Sequence, residues 1–331
     1  MRTLLIILFG AAFIAGGAWM ELERFKKTPL DYPEDPWLLD VPSGTSLRAL
    51  SKELASQGVL DHPYYLLALA HLRGDAARIK AGEFEIVGGT TPSQLLDQLI
   101  AGKVVQRAIT LVEGWTVAQA LEAVARDRRL KTVLKDASPE SLMVELGHED
   151  LEPEGRFLPD TYHFAKGASD LDILRRAFET MEQVLADEWK ERAEGLPLET
   201  PYEALILASI IEKETGQASE RPAIAGVFVR RLIKGMKLQT DPTVIYGMGD
   251  AFDGNLRRAD LRRDTPYNTY VRNGLPPTPI ALPGRAAIHA ALNPQDGDSL
   301  FFVAKGDGSH QFSATLEEHN QAVRRYQLGK P

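Results

Sequence analysis

Cysteine is absent from the 331 residues. Disulfide bridges, thiolate metal sites and a cysteine nucleophile are therefore excluded. A block of basic residues is also missing, and the formal net charge is −8. Nucleic acid, whose binding rests on clustered Lys and Arg, is not an expected partner. The seven histidines show no H-x-x-x-H spacing, which argues against a zinc hydrolase. The chain contains no G-x-S-x-G elbow, no S-x-x-K, no phosphate-binding P-loop and no G-x-G-x-x-G after a strand. Serine acyl-enzyme and nucleotide chemistry thus lack support, and neither a metal nor a cofactor is expected. What remains is ordinary for a globular protein: 44% apolar and 25% charged residues. The length allows two domains with a sizeable core.

Thr3 to Met20 form an uncharged stretch rich in Leu, Ile, Ala and Gly. As a helix it would span roughly 27 Å, close to a bilayer's hydrocarbon core. Trp19 sits where an interfacial anchor would. The expectation is a transmembrane anchor over 1–22, with the amino terminus inside and the large domain exported. The alternative is a cleaved signal peptide, because Ala15-Gly16-Gly17-Ala18 is small enough to be cut. Pro29, Pro33 and Pro36 then suggest a stiff linker over 23–38.

Residues 39–110 have their own rhythm. Leu47, Leu50 and Leu54 share a helix face that Gly58 ends. Asp61 can cap a second helix begun by Pro63, and Glu83-Phe84-Glu85-Ile86-Val87 alternates like a strand. Thr91-Pro92-Ser93-Gln94 reads as a capping box. A further strand is expected over about Val104 to Val112. Gly44-Thr45-Ser46, Gly89-Thr90-Thr91 and Gly114-Trp115-Thr116 form a weak internal repeat, which ordinary strand-turn-helix junctions explain equally well.

Residues 116–195 read as mostly helical, broken by Leu151 to Phe164. That segment packs prolines, aromatics and carboxylates together. It reads either as the lining of a sugar cleft or as a structural corner. Thr200 to Gly216 follows as a helix with a Thr200/Glu203 capping box, a continuous apolar run and a stop at Gly216. A second helix opens near Ser219 to Pro222 and stops at Gly235. Met236 to Leu282 shows little regular structure, and long polar loops in a compact domain are usually functional. Gly284 to Asn293 looks helical. Lys305-Gly306-Asp307-Gly308 joins two short strands, and Thr315 with Glu318 caps a last helix.

Chemistry points to the end of the 200–216 helix. A carboxyl group where an apolar wall ends has the surroundings that raise a pKa and keep a proton available near neutral pH. Glu212 and Glu214 lie about 200° apart on a helix. They are not a dyad; one belongs on the core side and the other toward solvent. Glu214 lies in the last turn, where the helix dipole disfavours a carboxylate. From the helix alone, both read as ordinary surface charges closing a core helix. A glycosidase with two carboxylates would need a second acid, for which Asp241, Asp160 and Glu154 qualify by residue type.

Several long motifs occur in one order: Glu154-Gly155-Arg156-Phe157-Leu158-Pro159-Asp160-Thr161-Tyr162, Ala208-Ser209-Ile210-Ile211-Glu212-Lys213-Glu214-Thr215, Leu238-Gln239-Thr240-Asp241-Pro242-Thr243-Val244-Ile245-Tyr246-Gly247, Tyr267-Asn268-Thr269-Tyr270 and Gly274-Leu275-Pro276-Pro277. In these the chain resembles the endolytic murein transglycosylases, the YceG-like family, over nearly its whole length. Short strands near both ends with helices between them predict an α+β fold, and the resemblance implies an N-terminal transmembrane helix, a LysM-like subdomain over 39–110 and a mixed helical and hairpin catalytic domain over 111–331. It implies a single-pass protein of the cell inner membrane whose catalytic domain works in the periplasm. The implied partners are peptidoglycan glycan strands, with cell-wall synthases (penicillin-binding proteins) as further candidates. The implied reaction cleaves the bond between N-acetylmuramic acid and N-acetylglucosamine within nascent strands and leaves 1,6-anhydro ends, which would terminate elongation. The family's catalytic Glu precedes a small hydroxyl residue, so the role falls on Glu214 before Thr215, with Glu212 as runner-up. Glu154, Asp160, Tyr162, Gln239, Asp241, Tyr246, Tyr267 and Asn268 are the substrate-binding candidates. The competing reading is a membrane-anchored peptidoglycan-binding module without turnover.

Overall fold

A computed structural model describes residues 2–32, 34–136 and 138–329. Met1, Pro33, Ala137, Lys330 and Pro331 fall in the expected anchor, linker and catalytic segments but lie outside the described residues. The chain divides into two compact units, one holding residues up to Arg107 with His163–Lys166, the other Ala108–Tyr162 and the residues from Gly167 onward.

The first unit opens with helix α1 (Arg2–Phe25). Its far end packs inward, with Leu22 and Phe25 against the unit's core. Phe25 meets Tyr65 edge-on at 5.5 Å. Phe9 and Phe13 are exposed. Among the described residues no helix is long and apolar enough to cross a membrane. Strand β1 (Trp37–Val41), helices α2 (Leu47–Ser56) and α3 (Pro63–Arg73), and strand β2 (Gly82–Ile86) follow. β1 and β2 pair antiparallel, with Leu39 opposite Phe84. Leu39 and Val41 point inward from β1 and Phe84 and Ile86 from β2, onto the Leu50 and Leu54 face of α2. The expected Asp61 cap is not formed: His62 holds the cap position of α3 without a side-chain hydrogen bond, and Pro63 begins the helix. Pro supplies the helical φ there and needs no N–H acceptor. Helix α4 (Pro92–Ala101) carries the reciprocal Thr91/Gln94 box.

Strand β3 (Arg107–Thr110) is shorter than expected. Helices α5 (Val117–Arg126) and α6 (Pro139–Leu146) lead to strand β4 (Thr161–Phe164), which pairs with β3. The second unit then builds its core around four helices: α7 (Asp170–Lys190), α8 (Pro201–Glu214), α9 (Arg221–Ile233) and, beyond the intervening loops, the short helix over Arg285–Leu292. Ala204 through Ile211 are buried without a break. A helix apolar on every side must be enclosed, and α8 is packed by its neighbours all round. Each fully buried Leu or Ile contributes roughly 1.5–3 kcal/mol relative to exposure. Ser209, the polar residue of that run, is satisfied twice: its Oγ donates to the Ile206 carbonyl at 2.7 Å and accepts the Ile280 N–H at 3.0 Å.

Two expectations about these helices need correction. α8 ends at Glu214, and Thr215, in extended backbone, makes the stop rather than Gly216. Glu203 sends its carboxylate to the Glu199 N–H and leaves the Thr200 N–H aside, so only half of the capping box forms. The 236–282 stretch also contains a helix that the sequence reading passed over, α10 (Asp241–Met248), opened by Thr240, Asp241 and Pro242. Helix α11 (Arg285–Leu292), strands β5 (Phe301–Ala304) and β6 (His310–Ser313), and helix α12 (Leu316–Tyr326) with its Thr315/Glu318 box complete the α+β architecture.

Candidate active site

The two carboxylates that end α8 have opposite surroundings. Glu212 turns to Arg221, whose Nη2 donates to its Oε1 at 2.9 Å, and to the Gly284 N–H, which donates to Oε2 at 2.9 Å. Its side chain is 4% exposed. Glu113 joins the same guanidinium from the surface at 3.2 Å. Glu212 is thus a structural ion-pair member. The expected split into one core-side and one solvent-side carboxylate is not what the structure shows: Glu214, two residues later, is also turned away from open solvent. Because α8 is enclosed on all sides, a 200° turn leads from one interior environment to another.

Glu214 lines a cavity of about 480 Å³. Thr240, buried before α10, donates its hydroxyl to Glu214 Oε1. Burial pushes the Glu214 carboxyl up to about 7, and Asp241 adds to the rise; the Thr240 hydroxyl, His310 and Arg231 oppose it. Removal from water is the dominant cause. The carboxyl therefore keeps its proton across a pH range where an exposed Glu has lost it. A larger cavity of about 750 Å³ lies between β6 and α12, lined by Gln311, Glu318, Arg324 and Arg325 among others. It holds no proton-bearing carboxyl, since backbone N–H groups hold Glu318 below its ordinary value.

The Glu214 cavity is built from the ends of several elements. Arg231 of α9 donates to the carbonyls of Leu300, Lys237 and Leu238 and lies 5.1 Å from the Phe301 ring centroid. Three carbonyls hold its charge in place, while burial lowers its pKa. Asp241, at the start of α10, accepts the Tyr270 hydroxyl at 2.5 Å. Burial, then Asp241, pushes the Tyr270 hydroxyl up. His310 opens β6, and Leu316, His319 and Val323 of α12 supply another wall. The His319 ring stacks on Phe301 at 5.2 Å, and its Nδ1 is buried with no hydrogen-bond partner among the described residues.

Gln239 also lines this cavity, with its side chain exposed and its backbone at φ +53°. A non-glycine residue in the left-handed region is strained by roughly 1–2 kcal/mol. The Gln239 N–H donates to Thr269 O at 3.1 Å and locks the turn. Gln239→Gly is therefore expected to raise folding stability by about 1 kcal/mol in urea unfolding while weakening any ligand that the amide contacts. Unchanged binding together with raised stability would make the side chain incidental.

The other candidates are placed elsewhere. Glu154 is buried; its Oε1 accepts the Val117 N–H and its Oε2 the Tyr246 hydroxyl, each at 3.1 Å. Burial pushes this carboxyl, too, to about 7. Tyr246 meets Tyr267 edge-on at 5.1 Å, and the Tyr267 hydroxyl lies 2.9 Å from Thr278 Oγ1. These residues form one internal network. Tyr162 is 5% exposed and donates to the Leu158 carbonyl, as a structural corner requires. Asn268 is fully buried, donates to the Asp260 and Arg263 carbonyls and accepts the Tyr270 N–H. Asp160 is exposed and borders a separate cavity with Arg221 and Arg285. Of the eight substrate-binding candidates, Gln239 and Asp241 share the cavity with Glu214. The sequence reading missed Thr240, Arg231, Tyr270 and His310. Thr240 and Tyr270 stand inside quoted motifs, and their neighbours drew the attention.

Comparison with known proteins places the chain in a family. The model of the YceG-like family matches residues 39–325. An endolytic murein transglycosylase of Bacillus subtilis is 30% identical, the match covering 97% of this chain and 91% of that protein. An endolytic murein transglycosylase of Streptococcus pneumoniae is 25% identical over 86% of this chain, which spans 57% of that relative's length. A crystal structure of a YceG-like protein from Listeria monocytogenes superposes with a TM-score of 0.54 at 30% identity, covering 87% of this chain and 99% of that one. The chain belongs to the YceG-like family.

Proposed function

We propose that this chain is an endolytic lytic transglycosylase of peptidoglycan with Glu214 as its catalytic acid. The observation that carries the reading is a carboxyl raised to about 7 in the wall of a 480 Å³ cavity, held by the Thr240 hydroxyl. Protonated Glu214 gives its proton to the oxygen between N-acetylmuramic acid and N-acetylglucosamine. Positive charge builds on the muramyl C1. The 6-hydroxyl of the same sugar attacks C1, and its proton returns to the carboxylate. The nucleophile is tethered, so no water is needed and the product is a 1,6-anhydro end. Gln239 and Asp241, at the same cavity, are the groups best placed to hold the sugar. Cleavage inside nascent strands would end their elongation, which makes penicillin-binding synthases natural partners.

The strand–helix–helix–strand segment within 39–110 is the proposed LysM-like glycan-holding part. Residues 1–22 are the proposed single-pass inner-membrane anchor with the remainder in the periplasm. Exposed Phe9 and Phe13 on α1 support an apolar destination for that helix. Carbonate extraction of membranes, followed by protease treatment of spheroplasts, tests this placement; a protein released by carbonate contradicts it.

A digest of purified peptidoglycan decides between turnover and holding alone. The reading expects new anhydro-muramyl ends in proportion to enzyme and time. Co-sedimentation with glycan strands and no new ends would leave a binding module.

A further inference from the structure

His310 lines the Glu214 cavity but plays no part in the single-carboxyl scheme. It opens β6, where it pairs with Ala304 of β5. Its backbone N–H donates to Glu220 Oε1 at 2.9 Å, and its Nδ1 lies 2.7 Å from Glu220 Oε2. The two side chains are 11% and 14% exposed. Both carboxylate oxygens of Glu220 act as acceptors, which places the ring proton on Nδ1. Phe302 closes one side of the ring with an edge-on contact at 5.4 Å. With Nδ1 turned to Glu220, Nε2 is the ring nitrogen without a hydrogen-bond partner among the described residues, on a side chain that borders the cavity. Across the same cavity, Glu214 Oε1 is engaged by Thr240, so its proton belongs on Oε2. The cavity thus presents one donor and one basic acceptor, which are the two functions that the reaction needs.

We propose that His310 is a second catalytic residue, the base that takes the proton of the attacking 6-hydroxyl, with Glu220 as its positioning residue. The proposal rests on the transglycosylase reading and divides the labour within it. Glu214 protonates the leaving oxygen as the C1–O bond breaks. O6 bonds to C1, and its proton passes to His310 Nε2. The imidazolium is stabilised by the Glu220 carboxylate. The proton then moves from Nε2 to the ionised Glu214, restoring both groups, so no water and no external acid or base enters the balance.

The test uses the full chain and measures anhydro-end formation on purified peptidoglycan. In His310→Asn the side-chain amide N–H can replace Nδ1–H toward Glu220, while the Nε2 base is lost. The expected result is a kcat lower by roughly 10²-fold with KM little changed and an unaltered unfolding midpoint. His310→Ala is expected to regain part of the rate when free imidazole is added, whereas Glu214→Gln gains nothing. A His310→Asn variant within about threefold of the wild-type kcat overturns the proposal; so does a loss that tracks unfolding and that imidazole does not restore. If Glu214→Gln remains active, the underlying reading fails instead, whatever His310 does.

Discussion

Glu214→Gln is expected to lower anhydro-end formation by roughly 10³-fold and, at the same time, to stabilise the folded protein above neutral pH. Gln keeps the size of the side chain and can still accept the Thr240 hydrogen bond through its carbonyl. It cannot deliver a proton. The stability effect follows from the same burial. The folded carboxyl titrates at about 7 against an ordinary value of 4.5. Between those values the folded protein holds a proton that the unfolded chain releases. This contribution is fully present below about pH 4.5 and is lost as pH rises through about 7. Above that, wild type carries a charge in the cavity wall and Gln does not. A shift of this size corresponds to roughly 3 kcal/mol. Thermal unfolding should give the variant the higher midpoint at pH 8 and equal midpoints near pH 4. For wild type, kcat/KM should fall as pH rises beyond about 7, because the acid is then ionised. A Gln variant that keeps its rate, or is less stable at pH 8, contradicts the assignment.

Arg221→Met carries the largest stability effect. Glu212 is 4% exposed and holds its charge against Arg221 and the Gly284 N–H. Methionine fills much of the guanidinium's space but leaves a buried carboxylate with one donor. Breaking such a pair from one side costs about 3–5 kcal/mol. The outer Glu113 pair, 48% exposed on its acidic side, adds little. Urea unfolding should show the loss directly, and a change below about 1 kcal/mol would mean that the pair is dispensable. Glu212→Gln should be milder, because its carbonyl still accepts, and it should retain turnover. The two neighbouring glutamates are therefore expected to separate: one variant loses chemistry and keeps the fold, the other loses stability and keeps chemistry. The reverse pattern would move the catalytic role to Glu212.

Much of this was legible in the chain. The uninterrupted Ala204–Ile211 run announces an enclosed helix, and Thr91, Thr200 and Thr315 mark helix starts through hydroxyls that local N–H groups reach. The pair Glu212 and Glu214 stands out because the apolar wall ends just before it. What the sequence hid was partnership. Nothing local distinguishes Glu212 from Glu214; a guanidinium from the next helix and a glycine N–H some seventy residues on decide it. Tyr162 and Asn268 look equipped for sugar, yet their polar atoms close internal turns. Helix α10 was passed over because Pro242 and Gly247 suggest a loop, although Pro in a first turn is a helix start. His310 read as part of a hairpin, and only the carboxylate of Glu220, ninety positions earlier, gives it a direction.

Asp241 in the same cavity is the group through which hydrolysis could compete, by activating a water. Cleavage of peptidoglycan in ¹⁸O-labelled water, read by mass spectrometry of the new ends, tests the tethered attack most directly. The account predicts anhydro-muramyl ends with no label incorporated. Reducing ends carrying one ¹⁸O would show that water, and not the sugar's own hydroxyl, attacks the carbon, and would contradict it.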